Sequence, residues 1–177
     1  MKPALILLLL LPLALIAGCK EEIAADPPDP AVLTEDATGY YCQMVIQNHP
    51  GPKAQTHLEG AEEPLWFAQV RDGLAYLKSG ERSGEVLVLY VNDMGRADSW
   101  DAPGDDNWID ADAAYFVVGS DAVGGMGAPE IAPFGDIEQA NAFAAERGGR
   151  VLRLQDIPAD AVLSPVEPAM TGGEHKK

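Results

Sequence analysis

The 177-residue chain carries 12 Lys and Arg against 28 Asp and Glu, a formal charge of −16, and 47% of its residues are hydrophobic. That charge argues against nucleic acid as a partner, because phosphate binding needs clustered cations, and it disfavours an anionic lipid surface. The apolar fraction rules out global disorder, and the length suits one domain or two small ones.

The chain opens with a cationic Lys2 and an almost unbroken apolar run over residues 5–15, followed by Ala17 and Gly18 before Cys19. This is an export signal over residues 1–18, too short for a comfortable membrane span. The residues ahead of Cys19 resemble the lipobox of bacterial lipoproteins, which implies cleavage there and a lipid on Cys19; Lys20 resembles the residue that follows in lipoproteins sorted to the outer membrane. The cut leaves 159 residues, and losing Lys2 alone moves the charge from −16 to −17. With Cys19 consumed, Cys42 is a lone thiol in an oxidising compartment. It is either a small buried apolar residue or a reactive one, and a catalytic role would need a base from His49, His57 or His175.

Residues 19–36, rich in Pro, Asp, Glu and Ala, read as a flexible tether. A first ββαβ unit is expected over residues 37–93. Residues 40–47 form its first strand, Pro50-Gly51 a hairpin turn, and residues 54–59 the returning strand. Pro64 then opens a helix with Trp66, Val70, Leu74 and Leu77 on its inner face, and residues 86–91 close the unit as a buried strand. Residues 94–112 are an acidic connection.

The second ββαβ unit, over residues 113–160, is read with strands at 114–118, 131–134 and 151–154. Asp136 caps its helix, Ile137, Ala140, Phe143 and Ala144 face inward, and Gly148-Gly149 stops it. Residues 161–177 read as a flexible tail. The fold class is α+β, two similar ββαβ units after a lipidated tether.

Chemistry concentrates on sulfur. Cys42 and Met44 are two residues apart, so a strand would point a thiol and a thioether to one side, and soft sulfur ligands select Cu(I) over Mg²⁺ or Ca²⁺. Tyr40, Cys42, Met44 and Ile46 also fit the apolar face of a core strand. A turn at Pro50-Gly51 would set His57 opposite Met44 and add an imidazole. Met126, in Gly124-Gly125-Met126-Gly127, has glycines around it and could reach across the units or pack as core. Met94 reads as strand-end packing and His49 as a solvated loop residue. There is no C-x-x-C, haem-attachment, P-loop or EF-hand pattern.

The lipobox at Cys19, Tyr41-Cys42-Gln43-Met44, the Gly124 to Gly127 loop with Glu130, Pro133-Phe134, Ala142-Phe143-Ala144 and Gly148-Gly149 together resemble the NosL family, accessory lipoproteins of nitrous oxide reductase. The resemblance implies a periplasm-facing, outer-membrane Cu(I) chaperone rather than an enzyme, with nitrous oxide reductase or its copper-cluster assembly machinery as partner. It carries Cys42 and Met44 over as metal ligands and leaves His57 and Met126 as alternatives for a further one. The competing readings are an acidic lipoprotein adaptor that docks a basic partner, with Cys42 and Met44 in its core, and a thiol enzyme using Cys42 with His57.

Overall fold

The computed structural model describes residues 27–166; the leader, Cys19 and residues 167–177 lie outside the described residues. Seven strands and three helices are present among them: β1 (Ala54–Leu58), β2 (Leu65–Phe67), α1 (Val70–Lys78), β3 (Val86–Asn92), β4 (Trp108–Asp110), β5 (Tyr115–Val118), β6 (Ala132–Phe134), α2 (Ile137–Arg147), β7 (Arg150–Leu152) and α3 (Asp160–Leu163). They form an antiparallel four-stranded sheet, β2-β1-β3-β4, and an antiparallel three-stranded sheet, β6-β5-β7. Within each, the first strand of a ββαβ unit lies between the second and the last, so the chain is α+β and built from two units of one topology.

The first unit is displaced along the sequence from its expected position. Residues 40–47 are not a strand: they make a tight turn, a single bridge from Val45 to Thr38, and the start of a 3-10 turn at Ile46–Asn48. β1 cannot accept them as a partner because β2 and β3 occupy both of its edges. Trp66 belongs to β2, paired with Gln55, and not to a helix. The helix starts at Val70 behind an extended Gln69. Trp66, Val70 and Leu74 recur at helical spacing, yet the three-residue β2 ends just before the true helix, so the spacing joins two elements.

The second unit follows its expected order closely. The Asp136 side chain accepts from the amides of Glu138 and Gln139, and Gly148 and Gly149 take φ of 76° and 89°, a left-handed region that ends α2 cheaply only for glycine. Ala140 of α2 is buried against the second sheet, but Ile137 is exposed and does not face inward. The acidic connection contributes β4, an edge strand that brings Trp108 onto the first sheet.

Pleating divides the apolar residues into three clusters. Ala54, Leu58, Phe67, Leu89 and Val91 on one face of the first sheet meet Leu74 of α1, and the same core continues into Phe116, Ile131, Leu154, Ile157 and Val162. The opposite face of the second sheet packs Val117, Ala132 and Phe134 on α2, with Met94 alongside. The opposite face of the first sheet has no helix. It is covered by residues 28–47, with Leu33, Ala37 and Ile46 packed on Trp108 and Trp66.

Two segments expected to be free are therefore held. Ala31 exchanges two hydrogen bonds of 2.8 Å with the Gln55 amide, and Tyr90 donates to the Pro28 carbonyl. At the other end Arg71 donates to the carbonyls of Ala161 and Ser164, and Val162 is buried.

Candidate metal centre

The Cys42 turn is closed by its backbone. The Gly39 amide donates to the Met44 carbonyl and the Gln43 amide to the Gly39 carbonyl, both at 2.9 Å. Gln43 takes φ +56°, the one positive φ among described non-glycine residues, and its side chain donates to the Tyr40 carbonyl at 2.7 Å. A side chain tied down locally offsets the cost of a left-handed residue. Gly39 is required by space: a Cβ there would sit 2.5 Å from the Cys42 sulfur and 3.0 Å from Ile46 Cγ2.

The turn presents its two sulfurs differently. Cys42 is half-buried against the cluster of Ala68, Ile46 and Trp66, with its S–H 3.9 Å from the Met44 carbonyl, while Met44 is 42% exposed. The aromatic pair ahead of Cys42 anchors the turn. Tyr41 packs edge-on against Phe67 at 5.6 Å and Tyr40 against Tyr76 at 5.5 Å.

Met126 lies at the tip of a small glycine-rich hairpin in the second unit, closed by the Val123–Pro129 bridge and by the Gly124 amide donating to the Ala128 carbonyl. Two side chains of the first unit draw that tip in. The Met126 amide donates to Gln69 Oε1 at 3.0 Å, and His49 Nδ1 donates to the Gly125 carbonyl at 3.1 Å. Gln69 follows Ala68, which packs in the same cluster as Cys42, so the tip and the Cys42 turn meet the same end of β2. Met126 is 41% exposed there. His49 is thus a latch between units and not a solvated loop residue, and neither it nor Gln69 has a local sequence signal, since their partners lie 76 and 57 residues away.

His57 is placed elsewhere. The hairpin that would set it opposite Met44 does not form, and its partner in β3 is Val88. It is buried, its Nε2 lies 2.9 Å from Gln55 Oε1, and its ring meets Tyr90 edge-on. Burial holds its pKa below the ordinary histidine value. It lies three residues along β1 from Ala54, the residue paired with Phe67. At about 3.3 Å per residue that is about 10 Å along the strand from the level of Ala54 and Phe67.

Two buried ionisable groups flank the junction. Lys53 is buried with its ammonium on the carbonyls of His49 and Gly51, and burial brings its pKa down to about 8 against the opposing pull of Glu130 and Asp101. Glu130 is fully buried, which pushes its pKa up to about 8 despite amides donated by Ile131 and Arg71. Among the described residues no group of three or more His, Cys, Asp or Glu could hold a metal ion. A site at this junction would rest on one thiol and on thioethers, a donor set suited to a soft monovalent ion and poor for hard cations.

The chain matches the family model described as NosL over residues 30–162. It is 52% identical over 165 residues to a protein of Achromobacter cycloclastes named copper-binding lipoprotein NosL, covering 92% of this chain and 82% of that one. A protein of the same name from Stutzerimonas stutzeri is 35% identical over 163 residues, covering 90% and 82%. Among solved structures, the copper chaperone NosL from Shewanella denitrificans superposes with a TM-score of 0.69 at 33% identity, over 74% of this chain and 97% of that one.

Proposed function

From the premise that the chain belongs to the NosL family, we propose that it is an exported Cu(I) carrier, anchored by lipid on Cys19, that delivers copper for assembly of the nitrous oxide reductase copper cluster. The names of its relatives support copper as cargo. The single observation behind the site is the junction at the end of β2, where the Cys42–Met44 turn and the Met126 tip approach the same short stretch, Ala68-Gln69. The reading takes Cys42 as thiolate ligand, with Met44 and Met126 as thioether ligands. His57 is the weaker alternative, since its imidazole is already hydrogen-bonded on another part of the sheet.

Transfer follows from the ligands. A thiolate supplies most of the affinity, and two neutral, exposed thioethers can be displaced one at a time by incoming donors of an acceptor, so the ion need not enter free solution. Copper binding displaces the thiol proton, so affinity falls as the solution is acidified. No bond of a substrate is made or broken, and the protein acts as a carrier and not as an enzyme. Attachment at the periplasmic face of the outer membrane follows from the lipobox and Lys20.

The half-burial of Cys42 among Trp66 and Ile46 also suits an acidic adaptor with that cysteine in its core. Anaerobic Cu(I) titration with native mass measurement separates the two readings. One copper per chain, lost in Cys42→Ser, supports the carrier; a Cys42→Ser variant that binds like the parent leaves the adaptor. Mass spectrometry of the native protein checks the lipid, and an unmodified residue 19 would remove the anchor.

A further inference from the structure

Glu130 is the most deeply buried carboxyl at the junction, 2% exposed, and its two oxygens are used unequally. Oε1 accepts the Arg71 amide at 2.9 Å and the Ile131 amide at 2.8 Å, fastening the second unit to the first turn of α1. Oε2 is buried without a partner. It faces the place where Gly124 has no side chain: a Cβ there would lie 2.6 Å from Glu130 Oε2 and 2.6 Å from Gln69 Oε1, so both oxygens border the same small gap. The Gln69 amide is oriented by its other contact, Nε2 donating to Asp72 Oδ2 at 3.2 Å, which turns Oε1 toward Glu130 and the Met126 amide. Two buried acceptors aimed at one gap are unfavourable unless one of them carries a proton.

We infer that Glu130, as the neutral acid, donates from Oε2 to Gln69 Oε1 and so acts as a positioning residue for Met126, through the chain Glu130 to Gln69 to the Met126 amide. The inference rests on the reading of Met126 as a ligand for its use, though not for its geometry. Burial and the nearby Asp72 favour the neutral carboxyl; the Ile131, Arg71 and Val70 amides and the Lys53 ammonium oppose it, and the Arg71 guanidinium is engaged on Ala161 and Ser164. Ionisation would set two lone pairs against each other and release Gln69 from Met126. Gly124 belongs to the same device, because any larger residue would enter the gap.

The test follows the Met126 amide by nitrogen-15 NMR in the metal-free full chain in detergent, from about pH 6 to about pH 9.5, a range that spans the raised carboxyl titration. In the parent the resonance is expected to shift above neutrality, with amide exchange, corrected for its intrinsic pH dependence, accelerating about tenfold. Glu130→Gln keeps a donor at this place and is expected to retain the protected amide without the inflection; Glu130→Leu is expected to show the exposed amide throughout. Identical profiles in the parent and Glu130→Gln overturn the proposal, and that pair decides even if Glu130→Leu does not fold. Loss of an outer hydrogen bond typically weakens metal binding about 10-fold or more, the fall in Cu(I) affinity expected for Glu130→Leu. Met126→Leu is measured in parallel: parental Cu(I) affinity in that variant would remove Met126 from the site, while the amide profiles would still decide what Glu130 does.

Discussion

The two ββαβ units share a strand order but differ in what covers their sheets. The second sheet lies between α2 and the first unit, so regular elements bury both of its faces. The first sheet has α1 on one face, and its other face is closed by residues 28–47, a segment with no strand of its own that carries Cys42 and Met44. Met126 likewise sits on a loop outside the repeated elements. The shared scaffold sets the position of the junction, and the unrepeated segments carry the proposed ligands.

The largest test of this contrast is to cut the core that the units share. Phe116→Ala removes a fully buried ring from a cluster that also contains Ala54 and Leu74, and a loss of about 3–5 kcal/mol is expected, with both units unfolding in one transition by chemical denaturation. Two separate transitions would show that the units are independent. Cys42→Ser, by contrast, should leave the midpoint nearly unchanged while abolishing tight copper binding.

The next effect is electrostatic. The Glu130 pKa is raised by folding, from 4.5 to about 8, so the folded protein holds a proton that the unfolded chain has released. Its contribution is complete below about pH 4.5 and is lost as pH rises toward about 8. Glu130→Gln should therefore gain thermal stability relative to the parent as pH increases through that window, a difference read from unfolding midpoints at several pH values. A gap that does not change with pH would contradict a buried titrating carboxyl.

Smaller effects separate the turn from the scaffold. Gly39→Ala drives a methyl toward the Cys42 sulfur, and a cost of about 1–3 kcal/mol is expected together with weaker Cu(I) binding in the same titration. Asp136→Ala removes the α2 cap on the other unit and should cost about 1 kcal/mol with no change in copper affinity. Equal losses of affinity in both variants would mean that the second unit's helix and the Cys42 turn are coupled.

The same contrast explains what could be read from the amino-acid order. The second unit was legible because its signals are local: Asp136 ahead of the helix, Gly148-Gly149 after it, and β-branched or aromatic strands between. In the first unit, Pro50-Gly51 looked like a hairpin turn, yet the prolines on either side of Gly51 lack amides to donate, and Gly51 instead bonds to the Trp100 carbonyl. β2 was hidden because three residues beside a helix leave no alternation to detect. Cys42 and Met44 stood out as sulfur at close spacing, although a tight turn rather than a pleat sets their relation. Gln69, His49 and Glu130 act over 57 to 76 residues, beyond any periodicity. A carboxylate at the entrance of the apolar run from Ile131 to Phe134 was the one available sign that Glu130 is buried by design.

In the proposed site, sulfur from both units meets at one ion. X-ray absorption on the Cu(I)-loaded protein and on Met126→Leu tests it directly. Three sulfur scatterers in the parent, falling to two in Met126→Leu and unchanged in His57→Ala, are the expected result. Two sulfurs with a nitrogen that disappears in His57→Ala would place the site on the first unit alone and contradict the account.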